Sequence, residues 1–184
     1  MFINHIESVC QAVKIPVIVQ YAPDLTRVQI STEILVQLAK KYPQIGFKID
    51  NTPSGGVISA ITRGTDGATK VYIGNAAVQW LEGLERGAIG SMPGCSMVEV
   101  YNKSYNAFIN GSKEEANRIH NDILPLLNSV KQSVEMLFMA EKYILKRRGV
   151  INSEYCRKPC FEFDDVAMKD FNYYYKMIEK YLEE

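Results

Sequence analysis

A lysine set inside an apolar strand is the residue of this sequence best suited to chemistry. Lys48 stands in the run Ile45-Gly46-Phe47-Lys48-Ile49, where an ammonium group is costly unless it is paired or faces a cavity. Burial disfavours the charged form of a lysine, and a neutral amine is a nucleophile for carbonyls. Two readings fit: a nucleophile, or a strand-end lysine whose stem packs while its head reaches water. Alternation along a strand puts Gly46 and Asp50 on the lysine's face, with Phe47 and Ile49 packed under helices. Gly46 then leaves room beside the amine. Asp50 either hydrogen-bonds a substrate or stabilises an iminium, or it is a plain turn residue. The following loop, NTPSGG at 51–56, precedes a helix and either offers backbone N–H groups to an anion or simply turns.

Other chemistries lack their parts. With only His5 and His120 beside Cys10, Cys95, Cys156 and Cys160, no zinc cluster of familiar spacing can be assembled. The same scarcity of histidine leaves no Ser-His-Asp or Cys-His machine, so acid–base work falls to Lys, Tyr, Asp or Glu. No metal and no cofactor are expected, and the cysteines are expected as free thiols. The 21 Lys+Arg balance 21 Asp+Glu, which removes the electrostatic footprint of a nucleic-acid or anionic-membrane binder. At 47% hydrophobic and 23% charged residues, the composition is that of a folded domain and argues against disorder. The longest apolar stretch, Ile15-Pro16-Val17-Ile18-Val19, is too short to span a bilayer. The opening MFINHIESVC carries no basic and apolar secretory signal. A cytoplasmic location is expected.

The elements that must position Lys48 alternate between two periods. Short apolar runs at 15–21, 45–49, 70–74 and 88–92 are each followed by helical spacing, at 31–42, 54–64, 76–87 and 96–111. Ser31 can cap the first of these helices and Pro43 ends it; Gly64, Gly87 and Gly111 close the others. This alternation predicts βα units with a parallel sheet. From Ser112 onward no strand is evident: helices are expected over 112–130, 132–148 and 164–184, with a loop over 149–164. Leu124, Leu126, Leu127, Met136 and Met139 are expected as core and interface. The expected division is therefore a strand-bearing part, 1–111, and a C-terminal helical region, 112–184.

The runs IPVIVQYAP, GFK, IG and RGAIGSMPG, in this order and spacing, resemble the second half of the dihydrodipicolinate synthase and N-acetylneuraminate lyase family. The likeness extends from about residue 6 to residue 150. KYILKRRGVI, followed by a short loop ending in RKP, is similar to one subgroup of that family. The resemblance implies an α/β fold: the C-terminal half of a TIM (β/α)8 barrel, strands five to eight, plus the helical region. It implies a lyase, aldolase or dehydratase that forms a Schiff base with pyruvate or a sugar-derived 2-oxo acid. Carried over by position, Lys48 takes the place of the Schiff-base lysine. Gly74 falls where the backbone stays open beside the substrate, and Gly90 and Ser91 fall where the 2-oxo acid pocket is lined.

Departures from the pattern shape the expectation. Gln20 occupies the position of the proton-relaying tyrosine. Gln20 and Tyr21 are both expected as substrate-binding residues; Tyr21 is adjacent to that position, and alternation turns it to the other face unless a bulge re-aims it. Leu25 stands near the position of the arginine that receives a second substrate's carboxylate in dihydrodipicolinate synthases, and Arg27 is out of register. A lyase or dehydratase of a sugar-derived acid is therefore expected over dihydrodipicolinate synthesis. Strands one to four, with the loop that holds the substrate carboxylate, have no counterpart here. A half barrel exposes two sheet edges and an apolar interior, so a homo-oligomer or a complementing half-barrel chain is expected as partner. Two further readings stay open: a truncated or split-gene remnant, inactive alone, and a small α/β binding module unrelated to lyases.

Overall fold

The computed structural model describes residues 2–182. Backbone contacts divide the chain into two compact units, Met1–Pro93 and Gly94–Glu184. The last helix expected to belong with the strands thus groups with the helices after it. In the first unit lie strands β1 (Val17–Tyr21), β2 (Ile45–Ile49), β3 (Val71–Ile73) and β4 (Gly90–Ser91). They pair in sequence order, β1-β2-β3-β4, and every pairing is parallel. Helices α1 (Phe2–Ala12), α2 (Pro23–Thr26), α3 (Thr32–Lys41), α4 (Gly55–Gly64) and α5 (Trp80–Glu85) complete it.

Burial separates the two faces of the sheet. Phe47, Ile49, Val71 and Ile73 are at most 1% exposed and form the core with Leu35 and Leu38 of α3 and Ile58 and Ile61 of α4. These helical residues recur at three-residue spacing, so each helix turns one stripe inward. Residues of opposite parity lie on the other face, where Ile18 is 40% exposed and Gln20 is exposed. No described residue of this unit closes that face into a core.

Two local departures from expectation have physical causes. Proline at the first turn of α2 supplies a preset φ and lacks the N–H that would otherwise be left unpaired, which starts a short helix after β1. The helix expected over 76–87 shrinks to α5, because Asn75, Ala76 and Ala77 all take left-handed backbone, with φ of 52°, 53° and 58°. A right-handed helix cannot run through them.

The second unit holds α6 (Val98–Ile109), α7 (Lys113–Val130), α8 (Val134–Arg147) and α9 (Asp165–Glu179). Between α8 and α9 there is neither helix nor strand. α7 buries Ala116, Ile119, His120, Ile123, Leu126, Leu127 and Val130, a stripe at helical spacing. Met136 is also buried, while Leu124 and Met139 are half-buried. Ser133 caps α8 by accepting from the Met136 N–H at 3.0 Å, and Asp164 caps α9 by accepting from the Ala167 N–H at 2.8 Å. Among the described residues no helix is long and apolar enough to cross a membrane.

Glu141 of α8 anchors the segment that precedes α6. Its Oε2 accepts from the Ser96 N–H at 2.9 Å. A Cβ on Gly94 would lie 2.0 Å from Oε1 of the same carboxylate, so any side chain there would displace it. Arg148 donates to the Ser96 carbonyl and, at 2.5 Å, to Glu99 Oε1. Burial pushes the Glu141 carboxyl above its ordinary value of 4.5, partly offset by the Ser96 N–H. The hydrogen bond from Arg148 holds Glu99 below its own.

Two outcomes follow from this packing. Phe47→Ala empties a fully buried site and should cost about 3–5 kcal/mol, read as a lower urea midpoint in far-UV circular dichroism. Glu141 binds its proton more tightly folded than unfolded, so its contribution makes stability fall as pH rises from 4.5 toward its raised folded value. In Glu141→Gln that component disappears, and thermal melts across this window should show a flatter profile than the parent's.

Candidate functional site

Register decides which side chains meet. Gln20 pairs with Lys48 across β1 and β2, Lys48 with Tyr72 across β2 and β3, and Tyr72 with Gly90 across β3 and β4. In a parallel sheet, partners in register share a face. Gln20, Lys48, Tyr72 and Gly90 therefore form one row across the face that the helices leave open. The Lys48 side chain keeps 22% of its surface exposed. The row lies near the carboxyl ends of the strands, where α/β barrels carry their catalytic groups.

Asp50, two residues beyond Lys48, is the hub of the site. Its Oδ2 lies 3.5 Å from Lys48 Nζ and accepts from Gln20 Nε2 at 2.8 Å. Its Oδ1 accepts from the Asn75 N–H at 2.6 Å. One oxygen is thus tied to backbone while the other faces the amine. Gly74 makes this approach possible, since a Cβ there would sit 2.1 Å from Oδ1. The Asn75 N–H is delivered by the left-handed turn Asn75–Ala77. Left-handed backbone costs Ala76 and Ala77 roughly 1–2 kcal/mol each, while asparagine tolerates it better, and strain of this kind persists where surrounding structure over-determines it. The Asn75 side chain donates weakly to Thr52 Oγ1 at 3.3 Å and Gln79 Oε1 at 3.4 Å. Asp24 Oδ2 of α2 accepts from the Thr52 N–H at 3.2 Å and steadies the loop after β2.

The residues singled out by sequence divide into two sets. Lys48, Gln20, Asp50, Gly74 and Gly90 are brought to the open face or its rim. Tyr21 is not. It is buried on the helix-packed face and its hydroxyl donates to the Ile30 carbonyl at 3.0 Å, which corrects its expected place beside the substrate. No bulge interrupts the β1–β2 register, so alternation holds it away. Ser91 likewise pairs with Ile73, whose side chain is in the helix-packed core, and its hydroxyl donates to the Ile73 carbonyl at 3.0 Å. The space expected over Gly46 is occupied, because a Cβ there would meet Ile18 Cδ1 at 2.8 Å.

Two site residues were not read from the sequence. Tyr72 shares the parity of Gly74 in KVYIG, and that signal was available; its ring carbons lie 3.6 and 3.7 Å from where a Gly90 Cβ would be. Asn75 contributes a backbone N–H through an unusual turn, for which residue type alone offers little warning. Among the described residues no group of three or more His, Cys, Asp or Glu is placed to hold a metal ion.

Comparison with known proteins bears on the family and the fold. The 4-hydroxy-tetrahydrodipicolinate synthase of Methanococcoides burtonii is 27% identical over 136 residues, covering 70% of this chain and 44% of that protein. The enzyme of the same name from Listeria monocytogenes is 28% identical over 148 residues, covering 79% and 49%. The chain thus spans about half the length of the curated relatives it matches. Among solved structures, dihydrodipicolinate synthase from Rhodopseudomonas palustris superposes with a TM-score of 0.85 at 22% identity, over 96% of this chain and 60% of that one. The enzyme from Aquifex aeolicus gives 0.80 at 22% identity, over 98% and 60%. The shared fold is a partial (β/α)-barrel of four parallel strands with a helical C-terminal region. A sequence model of the dihydrodipicolinate synthetase family matches residues 2–177, and the chain belongs to that family.

Proposed function

We propose that this protein is a class I lyase whose Lys48 amine condenses with the carbonyl carbon of pyruvate or of a sugar-derived 2-oxo acid. The observation that supports this most is the position of Lys48: in register with Gln20 and Tyr72 on the open face, with a carboxylate 3.5 Å from its nitrogen. The iminium so formed draws electrons from the neighbouring carbon, which allows a carbon–carbon or carbon–oxygen bond there to be made or broken. The lysine itself is the electron sink, so the proposed reaction calls for no added cofactor. Gln20 has no exchangeable acid proton, and Leu25 offers no positive charge to a second carboxylate. Both favour a lyase or dehydratase acting on a sugar-derived acid over dihydrodipicolinate synthesis.

The exposed Ile18 and Gln20 support a second reading. In it the chain is inactive until further strands, from a complementing half-barrel chain or an oligomeric partner, cover the open face. Positioning of a substrate carboxylate and exclusion of water would then come with those strands, and such positioning contributes several kcal/mol of barrier lowering.

Borohydride trapping separates these readings. Incubation with millimolar pyruvate and borohydride at neutral pH should add one reduced pyruvyl unit, mapped to Lys48 by peptide mass, and Lys48→Arg should take no label. Labelling that appears only with added strands supports the second reading; no labelling under either condition overturns the lysine's assignment. Gly74→Ala drives a Cβ into the Asp50 carboxylate. It should slow labelling by on the order of tenfold to a hundredfold, the scale of roughly 1 Å misplacements, while circular dichroism stays unchanged.

A further inference from the structure

We propose that Asp50 is the proton carrier for imine formation at Lys48, a role that rests on the Schiff-base reading above. An amine and a carbonyl cannot become an iminium and water without two relocations of protons. Counted from the ammonium, two protons must leave the nitrogen, and both must reach the departing oxygen. A group that does both must stand within reach of the nitrogen and be able to gain and release a proton.

Among the titratable side chains of the open face, Asp50 meets these demands. Its Oδ2 is 3.5 Å from Nζ, close enough to close to a hydrogen bond on a small shift of the flexible lysine. Gln20, in register with Lys48 on the neighbouring strand, donates to the same oxygen and contributes an amide that holds without titrating. Tyr72 carries a phenol, but its ring lies over Gly90, on the β4 side of the row.

The structure also invests in keeping this carboxylate where it is. Oδ1 is tied to the Asn75 N–H at 2.6 Å, and the turn that presents that N–H keeps three consecutive non-glycine residues at positive φ. Gly74 is the position at which any side chain would displace the carboxylate. A plain turn aspartate has no need of a strained turn and a cleared approach on separate elements. With Oδ1 immobilised, Oδ2 is the oxygen left to exchange protons.

The steps balance. The Asp50 carboxylate takes one proton from the Lys48 ammonium, giving a neutral amine and a carboxylic acid. The nitrogen lone pair forms the N–C bond as the carbonyl π pair moves onto oxygen. Asp50 gives its proton to that oxygen and takes one from the nitrogen, leaving a carbinolamine and the acid. The acid then protonates the hydroxyl, which departs as water with its bonding pair while the nitrogen lone pair forms C=N⁺. Asp50 returns to carboxylate, and the net change is ammonium plus ketone to iminium plus water.

The test uses the purified protein under the condition that labels Lys48, with pyruvate as probe, cyanoborohydride as trap and intact mass as readout. Asp50→Asn keeps the size and can still accept from Asn75, while it removes the negative charge, the acceptor for Gln20 and the ability to carry a proton. It should slow labelling by about a hundredfold or more, within the range general acid–base groups supply, with little change in the pyruvate concentration for half-maximal rate. In Asp50→Ala, added formate should restore rate in proportion to its concentration, which a merely positional role would not allow. If Asp50→Asn is shown by circular dichroism not to fold, the formate series on Asp50→Ala decides the matter. Equal labelling rates in the parent and Asp50→Asn, or a slowed Asp50→Ala that formate does not rescue, would overturn the role of Asp50 and leave the Schiff-base reading standing. Absence of label in the parent would overturn that reading itself.

Discussion

Strand alternation combined with parallel register is the constraint on which this protein's candidate site depends. Each strand offers two faces, and in the sheet unit one face must bury its apolar residues under helices. Phe47, Ile49, Val71 and Ile73 take that side, and hydrophobic burial at about 25 cal/mol per Å² makes the choice hard to reverse. A slip of one residue would exchange the faces completely. Once Phe47 and Ile49 are inside, Lys48 has no option but the open face. Gln20, Tyr72 and Gly90 follow through the ladder. The core and the site are consequences of one arrangement.

Around Lys48 the polar contacts form a graded set. Asp50 is fixed at one oxygen by backbone and shared at the other between an amide and an amine. Backbone anchoring is the stiffer of the two, because the Asn75 N–H belongs to a turn held by the end of β3. The lysine contact is looser at 3.5 Å. A carboxylate orders the site from one side while the Lys48 nitrogen is held less closely. Gly74 is the small residue that lets two strand ends approach closely enough for this to happen.

The helical unit uses similar chemistry for a different end. Glu141 and Arg148, both on or just beyond α8, hold the segment before α6 through the backbone of Ser96. Burial of Glu141 disfavours its charge, and Tyr101 is pushed up by burial with the Glu141 charge adding to it. Arg148 pairs with Glu99 through Oε1, while Glu99 Oε2 and Ser96 Oγ are buried without a hydrogen-bond partner among the described residues. α7 and α9 contribute mainly apolar stripes, among them Leu126, Leu127, Phe171 and Ile178. The expected core residues Leu126, Leu127 and Met136 are indeed inside this unit.

What the sequence determined by itself is whatever has a local period. The two-residue period of IGFKI and the three-to-four-residue period of TEILVQLAKK and KEEANRIHNDILPLLNSV settle strand and helix. Pro43 and Gly64 mark two helix ends. Alternation alone turns Lys48 away from Phe47 and Tyr21 away from Gln20, and the family resemblance supplied the lysine's expected role. The tertiary structure decided everything that joins distant residues. Gln20 and Asp50 are 30 residues apart, and Asp50 and the Asn75 N–H are 25 apart; no local pattern specifies that they meet. It also shortened the helix after β3, because the left-handed turn at Asn75–Ala77 is imposed against the preference of its two alanines. Ser91 looked like a pocket residue from its position in GSMPG, yet the register with Ile73 places it on the other side. Local periods depend on neighbouring residues alone, whereas contacts depend on register between strands, which exists only once the sheet has formed.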